Sequence, residues 1–165
     1  MKYVDGNITE ATQFFIAHGC NAQGAMGSGV AQALRVKWPQ IFEPYKRACN
    51  SMHILSDSYA VSFVPVDVPD HVVLNLITQD RYGRDGKKYA SYLRITESLT
   101  DVIDLYSRAL NPVEYDRNQF EIAIPKIGAG LGGLKWEFVE EILKELEEKY
   151  PNVEFVVYVP DLHAF

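Results

Sequence analysis

Two glycine-rich segments are the parts of this sequence best suited to bind an anion. They span residues 24–29 and 128–133, and each follows an apolar run that predicts a buried strand and precedes a predicted helix. Glycine lets backbone N–H groups approach a phosphate closely, and the start of a helix adds partial positive charge. One such segment is a weak signal. Two of them in 165 residues predict a ligand whose diphosphate is held from two sides.

His18 is the candidate for chemistry beside the first glycine segment. It ends a predicted strand over residues 14–18. A histidine can protonate a leaving oxygen, activate water or attack phosphorus near neutral pH. The alternative is that His18 only hydrogen-bonds the loop backbone. His53, His71 and His163 lie away from the glycine segments, and we expect them at the surface.

Two common nucleotide-binding motifs are disfavoured. Gly128, Gly130 and Gly133 match the dinucleotide fingerprint G-x-G-x-x-G, but this motif needs an acidic residue at the end of the next strand and further strands after it. Asp161 is the available acid, and the sequence stops at Phe165. A triphosphate loop needs a lysine that neither segment has, so kinase and ATPase activities are also disfavoured.

Composition predicts a soluble protein with one domain over residues 1–165. The net charge is −6, from 16 basic and 22 acidic residues, which disfavours an extended nucleic-acid surface. No apolar stretch is long enough for a membrane span, and the N-terminus does not resemble a signal peptide. Cys20 and Cys49 do not suggest a disulfide framework, so we expect a cytoplasmic protein. They also lack metal-ligand spacing, and we expect neither a metal nor a cofactor. No exposed apolar heptad requires a partner, and a monomer is expected.

Predicted strands alternate with predicted helices along the whole chain. The strands cover residues 2–4, 14–18, 59–63, 72–77, 120–125 and 153–159, and the helices follow residues 29, 39, 92 and 136. This alternation predicts a three-layer α/β/α domain with a mixed, largely parallel central sheet. Ligands of such sheets bind outside the carboxyl ends of the strands, where both glycine segments are expected. Residues 79–88 are polar and are predicted to form a solvated loop.

Three motifs in order resemble those of the macrodomain family of ADP-ribose binders. They are Gly6-Asn7-Ile8, residues 17–23 and residues 124–132, and the resemblance extends from Lys2 to Tyr158. It is strongest to the subgroup of yeast-type ADP-ribose-1″-phosphate phosphatases and related small phage and bacterial proteins. The resemblance implies ADP-ribose or its 1″-phosphate as the small-molecule ligand and hydrolysis of the phosphomonoester as the reaction.

The resemblance also implies a role for individual residues. His18 would release the phosphate, and Asn21 would orient the distal ribose. Asn7 stands where an aspartate is commoner in the family. It places the adenine near Gly6, Asn7 and Ile8, and an aromatic ring, Tyr158 or Tyr82, next to the adenine or the distal ribose. The first phosphate loop would consist of Gly27, Ser28, Gly29 and Val30. The second would consist of Gly128, Ala129, Gly130, Leu131 and Gly132.

Two other activities stay open. A second macrodomain subgroup removes ADP-ribose from protein or nucleic acid, using a lysine after a strand and often an aspartate in the second loop. Gln79 and Gly132 stand there in this sequence, which disfavours that route. The other alternative is a module that binds ADP-ribose without turnover. Arg84 or Lys87, in a basic cluster, is hypothesised to meet a terminal phosphate.

Overall fold

The computed structural model describes residues 1–52, 60–81, 83, 85, 87–109 and 120–160. Predictions that concern His53, Tyr82, Arg84, Asp161 and His163 lie outside these residues. The strands are β1 (Lys2–Asp5), β2 (Phe15–Asn21), β3 (Ala60–Val66), β4 (His71–Gln79), β5 (Phe120–Ile124) and β6 (Val153–Val159). The helices are α1 (Gly29–Lys37), α2 (Phe42–Met52), α3 (Tyr92–Ala109) and α4 (Trp136–Lys149), with 3₁₀ helices at Ile8–Glu10 and Pro39–Ile41.

The described strands form one six-stranded sheet in the order β1-β6-β5-β2-β4-β3. Every neighbouring pair is parallel except β3 and β4, which are antiparallel. The carboxyl ends of the five parallel strands therefore meet at one edge of the sheet. The register between β2 and β4 shifts after Cys20, so β2 ends on an irregular turn at that edge.

Hydrophobic residues pack on both faces of the sheet, which confirms the predicted three layers. Ile16 and Cys20 of β2 pack with α1 and α2, and Phe15 and Ala17 pack with α3 and α4. Successive strand residues point to opposite faces, so one strand supplies both cores. Strands covered on both sides read as continuous apolar runs, as predicted for the interior of this sheet.

The end of α1 and the start of the following 3₁₀ helix lie where sequence signals favour them. The backbone N–H of Trp38 donates to the Leu34 carbonyl at the end of α1, and the following 3₁₀ helix begins at Pro39. Proline fits there because it has no N–H to leave unpaired. None of the helices that the structure describes is long and apolar enough to cross a membrane.

Candidate functional site

A cleft of about 850 Å³ opens at the carboxyl ends of the parallel strands. Its walls include the ends of β2, β4 and β6 and the segment that follows β5. Most of the predicted site residues lie together here: Asn21, Gly27, Ser28, Gly29, Val30, Gly128, Ala129, Gly130, Leu131, Gly132 and Tyr158. The parallel topology thus brings residues of both glycine segments to a single cleft.

The first glycine segment presents the start of α1 to the cleft. Gly29 has φ of 60°, a left-handed conformation that favours glycine, and it begins the helix. Ser28 at the N-cap makes no side-chain capping hydrogen bond. The first N–H groups of a helix have no partner within it. The residues that carry them here, Gly29, Val30 and Ala31, line the cleft. This wall can accept an anion.

Asn21 holds the turn that leads into this segment. Its Oδ1 accepts a hydrogen bond from the Gln23 N–H at 2.9 Å, and its Nδ2 donates to the Ala25 carbonyl at 2.8 Å. Such an Asx turn lets a short side chain replace backbone partners. Asn21 therefore lines the cleft and fixes the shape of its first loop.

The second glycine segment is closed by its own backbone. The Leu134 N–H donates to the Gly128 carbonyl at 2.9 Å, and the Gly133 N–H donates to the Gly130 carbonyl at 3.1 Å. The Gly132 carbonyl accepts from the N–H groups of Tyr89 and Ala90. This loop is therefore tied to residues 89–90, which follow the polar segment after β4.

The segment 79–88, predicted as a solvated loop, is mostly exposed where the structure describes it. Lys87 and Lys88 are exposed, and Lys87 lies 3.7 Å from the Asp85 carboxylate. Ala90 is buried, and the Ser91 N–H donates to the Thr78 carbonyl. Residues 89–91, which follow this segment, are thus packed against the cleft, because they donate hydrogen bonds to the carbonyls of both Gly132 and Thr78.

His18 lies outside the cleft. Its ring is completely buried between the sheet and α2, and its Nε2 donates to Asn75 Oδ1 at 2.6 Å. Burial lowers the pKa of His18 to about 4, against a smaller opposing effect of the Asn75 hydrogen bond. The predicted catalytic role does not fit this placement, because a neutral, enclosed ring cannot reach a phosphate. Asn75 Nδ2 in turn donates to Ser62 Oγ and the Ile41 carbonyl, so His18 belongs to a structural network.

The Gly6-Asn7-Ile8 segment is placed beside the cleft and does not line it. Ile8 is buried in the core. Asn7 Oδ1 accepts from both the N–H and the hydroxyl of Thr9, so this oxygen caps the first 3₁₀ helix. Asn7 faces a smaller hollow of about 410 Å³ that shares Gly29 with the cleft. Gly6 lies next to the ring of Tyr158, so the two remain neighbours at the cleft edge.

Several residues that line the cleft were not predicted as site residues. Thr78 and Gln79 end β4, Lys126 follows β5, and Cys20 precedes Asn21. Each lies within two residues of the carboxyl end of a strand, which is the signal that could have found them. Burial, together with the neighbouring Cys49, raises the pKa of the Cys20 thiol well above its usual value. Cys20 therefore stays protonated at neutral pH and is not an activated nucleophile.

Neutral groups dominate the cleft. Backbone amides and the side chains of Asn21, Ser28, Thr78 and Gln79 supply its polar atoms, and Lys126 supplies a positive charge. Across the described part of the chain, no three histidine, cysteine, aspartate or glutamate residues are grouped to hold a metal ion.

Known proteins of similar sequence act on ADP-ribose derivatives. The chain is 29% identical over 161 residues to the DNA ADP-ribosyl glycohydrolase of Mycobacterium tuberculosis, a match that covers 97% of this chain and 42% of that protein. This chain therefore spans less than half of that relative's length. It is 26% identical over 167 residues to the ADP-ribose 1″-phosphate phosphatase of Candida albicans, covering 96% of this chain and 99% of the phosphatase.

A solved structure shares the fold. The macrodomain of Mycobacterium tuberculosis DarG superposes with a TM-score of 0.73 at 24% identity, and the match covers 97% of each chain. The profile of the Macro domain family matches residues 17–143, which include both glycine segments and the strands and helices between them. The chain therefore belongs to the Macro domain family.

Proposed function

We propose that the cleft binds ADP-ribose, with the diphosphate between residues 27–31 and residues 128–132. The observation that carries this proposal is the convergence of two glycine loops, from separate strands, on one cleft of about 850 Å³. A cleft of this size suits a small ligand, and backbone N–H groups can hold a diphosphate in a protein of net charge −6.

We assign positions to the distal ribose and the adenine from the residues that line or border the cleft. The distal ribose would lie against Asn21, and the adenine would lie toward Tyr158 and Gly6. Asn7 would take part only if the adenine extends into the hollow that adjoins the cleft at Gly29. Because Asn7 Oδ1 already accepts two hydrogen bonds, Asn7 would then meet the adenine ring through its Nδ2 donor. Such a donor pairs with a ring nitrogen, whereas an aspartate would accept from the adenine amino group.

For the reaction, we infer hydrolysis of ADP-ribose 1″-phosphate to ADP-ribose and phosphate. The similarity to the Candida albicans phosphatase along nearly all of both chains supports it. In this reaction water attacks phosphorus, the bond to the ribose oxygen breaks, and that oxygen takes up a proton. Loop N–H groups would stabilise the developing negative charge. Because His18 is enclosed, the proton would come from water or from a group that lines the cleft.

A second candidate is removal of ADP-ribose from DNA. Its supporting observation is the 29% identity to the mycobacterial glycohydrolase over 97% of this chain. Gln79 and Gly132 stand where the resemblance implies a lysine and an aspartate for that reaction, which favours the phosphatase.

One set of assays separates these functions. Calorimetry with ADP-ribose tests binding, and release of phosphate from ADP-ribose 1″-phosphate tests the first reaction. Release of ADP-ribose from ADP-ribosylated DNA tests the second. We expect saturable binding and phosphate release. Binding with neither reaction would identify a binding module, and absence of binding would refute the proposed function.

A further inference from the structure

Tyr45 does not line the cleft, but it contacts the turn that forms its first wall. The Tyr45 side chain on α2 is fully buried. Its hydroxyl accepts a hydrogen bond from the Ala25 N–H at 3.0 Å and donates to the Asn21 carbonyl at 2.6 Å. Asn21 Oδ1 lies 2.8 Å from the same oxygen. One phenol oxygen therefore joins both ends of the turn over residues 21–25.

Asn21 is the residue through which this contact reaches the cleft. Its side chain bonds the Gln23 N–H and the Ala25 carbonyl, and its position ends β2 where the register with β4 shifts. Beyond this point the backbone is no longer held by hydrogen bonds to a neighbouring strand. The hydrogen bonds to the buried Tyr45 hydroxyl hold it instead, because a buried polar network with all its partners in place specifies one arrangement.

α2 is fixed to the sheet one turn before Tyr45. Asn75 Nδ2 donates to the Ile41 carbonyl at 3.1 Å and to Ser62 Oγ at 2.8 Å. His18 and Ser62 lie opposite Asn75 on the two neighbouring strands. This buried polar row holds the start of α2, so the Tyr45 hydroxyl has a fixed position relative to the end of β2.

We propose that Tyr45 is a positioning residue for ligand binding, whose hydroxyl holds Asn21 and residues 22–25 so that Asn21 meets the distal ribose. The inference rests on the proposed function. Phenylalanine would fill the same space but would leave the Ala25 N–H and the Asn21 carbonyl without this partner. The Ala25 N–H would keep only a longer contact with Asn21 Oδ1 at 3.4 Å, and the Asn21 carbonyl only the Cys49 thiol at 3.7 Å. The turn would then be held less firmly although the core stays filled.

The test compares Tyr45→Phe with Tyr150→Phe. The Tyr150 hydroxyl donates to Asp104 Oδ1 at 2.9 Å, away from the cleft lining, so its removal is a matched loss of a hydroxyl contact. We expect Tyr45→Phe to weaken ADP-ribose binding about tenfold, or about 1.4 kcal/mol. Binding of ADP, which lacks the distal ribose, should weaken by less than about threefold, or about 0.6 kcal/mol. Tyr150→Phe should change neither affinity.

Equal affinity of Tyr45→Phe and wild type for ADP-ribose would overturn the inference, as would equal losses for ADP-ribose and ADP. A general loss of stability does not change the ratio of these two affinities. If wild type does not bind ADP-ribose, the proposed function fails, and amide hydrogen exchange of the unliganded protein then decides the role of Tyr45. The Ala25 amide should be protected in wild type and exchange about tenfold faster in Tyr45→Phe. Rapid exchange of the Ala25 amide in wild type would overturn the inference without any variant.

Discussion

At the scale of single residues, the position of a polar side chain on its strand decides what it can do. His18 precedes a phosphate-type loop and has suitable chemistry, yet it points to the same face as Ile16 and Cys20, under α2. Asn21, three residues later, lies beyond the register shift and faces the cleft. The sequence could not separate these cases, because a strand buried on both faces shows no polar alternation.

The buried His18 predicts a loss of stability in acid. Its pKa falls from 6.5 to about 4 on folding, so between these pH values the unfolded chain binds a proton that the folded chain does not. The free energy of unfolding should therefore decrease as pH falls from 7 to 4, with about 3 kcal/mol due to this residue. Urea unfolding of wild type and His18→Gln at pH 7, 5.5 and 4.5 measures this, and the variant should lose less between pH 7 and 4.5.

Parallel pH profiles for the two proteins would contradict this account of His18. The carboxylates of Glu121 and Glu140, whose pKa values are lowered by hydrogen bonds with Lys2 and Tyr3, are present in both proteins and contribute equally to both profiles. The difference between the profiles therefore isolates His18. An NMR titration of the His18 ring is an independent control, since a ring that titrates near pH 6.5 would also contradict the lowered pKa of His18.

At the scale of elements, the glycines of the second loop are needed for different reasons. A Cβ on Gly132 would lie 2.6 Å from the Gly128 carbonyl oxygen and 2.9 Å from Ala90 Cβ, so packing excludes it. A Cβ on Gly130 would meet no protein atom within 4 Å. Gly132 therefore serves the attachment of the loop to residues 89–90, whereas Gly130 leaves room beside the backbone for a ligand.

This difference predicts that two similar substitutions affect different properties, one the stability of the protein and the other its affinity for the ligand. Gly132→Ala should lower the free energy of unfolding by about 1–3 kcal/mol, because backbone must move to relieve the overlap. Gly130→Ala should change stability by less than about 0.5 kcal/mol, as expected for an uncrowded surface position. It should still weaken ADP-ribose binding, because its methyl group occupies space at the cleft wall. Chemical denaturation and calorimetry measure both effects.

Equal stability of the two alanine variants would show that the loop is not packed as described. Unchanged ADP-ribose affinity of Gly130→Ala would show that the ligand does not approach this part of the backbone. The two outcomes are independent, so the fold of the loop and its use are tested separately.

Helices and the glycine segments were predictable, but the attachment of one loop to another was not. The stripe of Ile95, Leu99, Val102 and Ile103 predicts α3 because a helix covered on one side repeats every three to four residues. The packing of residues 89–90 on Gly132 has no corresponding pattern in the sequence. Its hydrogen bonds use backbone groups, which every residue type provides.

At the scale of the whole molecule, the fold brings together motifs that are far apart in sequence. The parallel strands place the ends of β2, β4 and β6 and the loop after β5 at one edge, and the proposed diphosphate site is built from backbone groups of two of these regions. Backbone amides do not alter net charge, which is why a protein of net charge −6 can offer an anion site. The sequence predicted this edge because the order of strands and helices determines it.

The most direct test of the central claim is an amide chemical-shift titration of the wild-type protein with ADP-ribose. The account predicts saturable one-to-one binding. The largest shifts should fall on residues 21–31 and 128–132, and shifts on the surface of α3 and α4 should be small. Absence of saturable shifts, or saturable shifts centred away from both glycine loops, would contradict it.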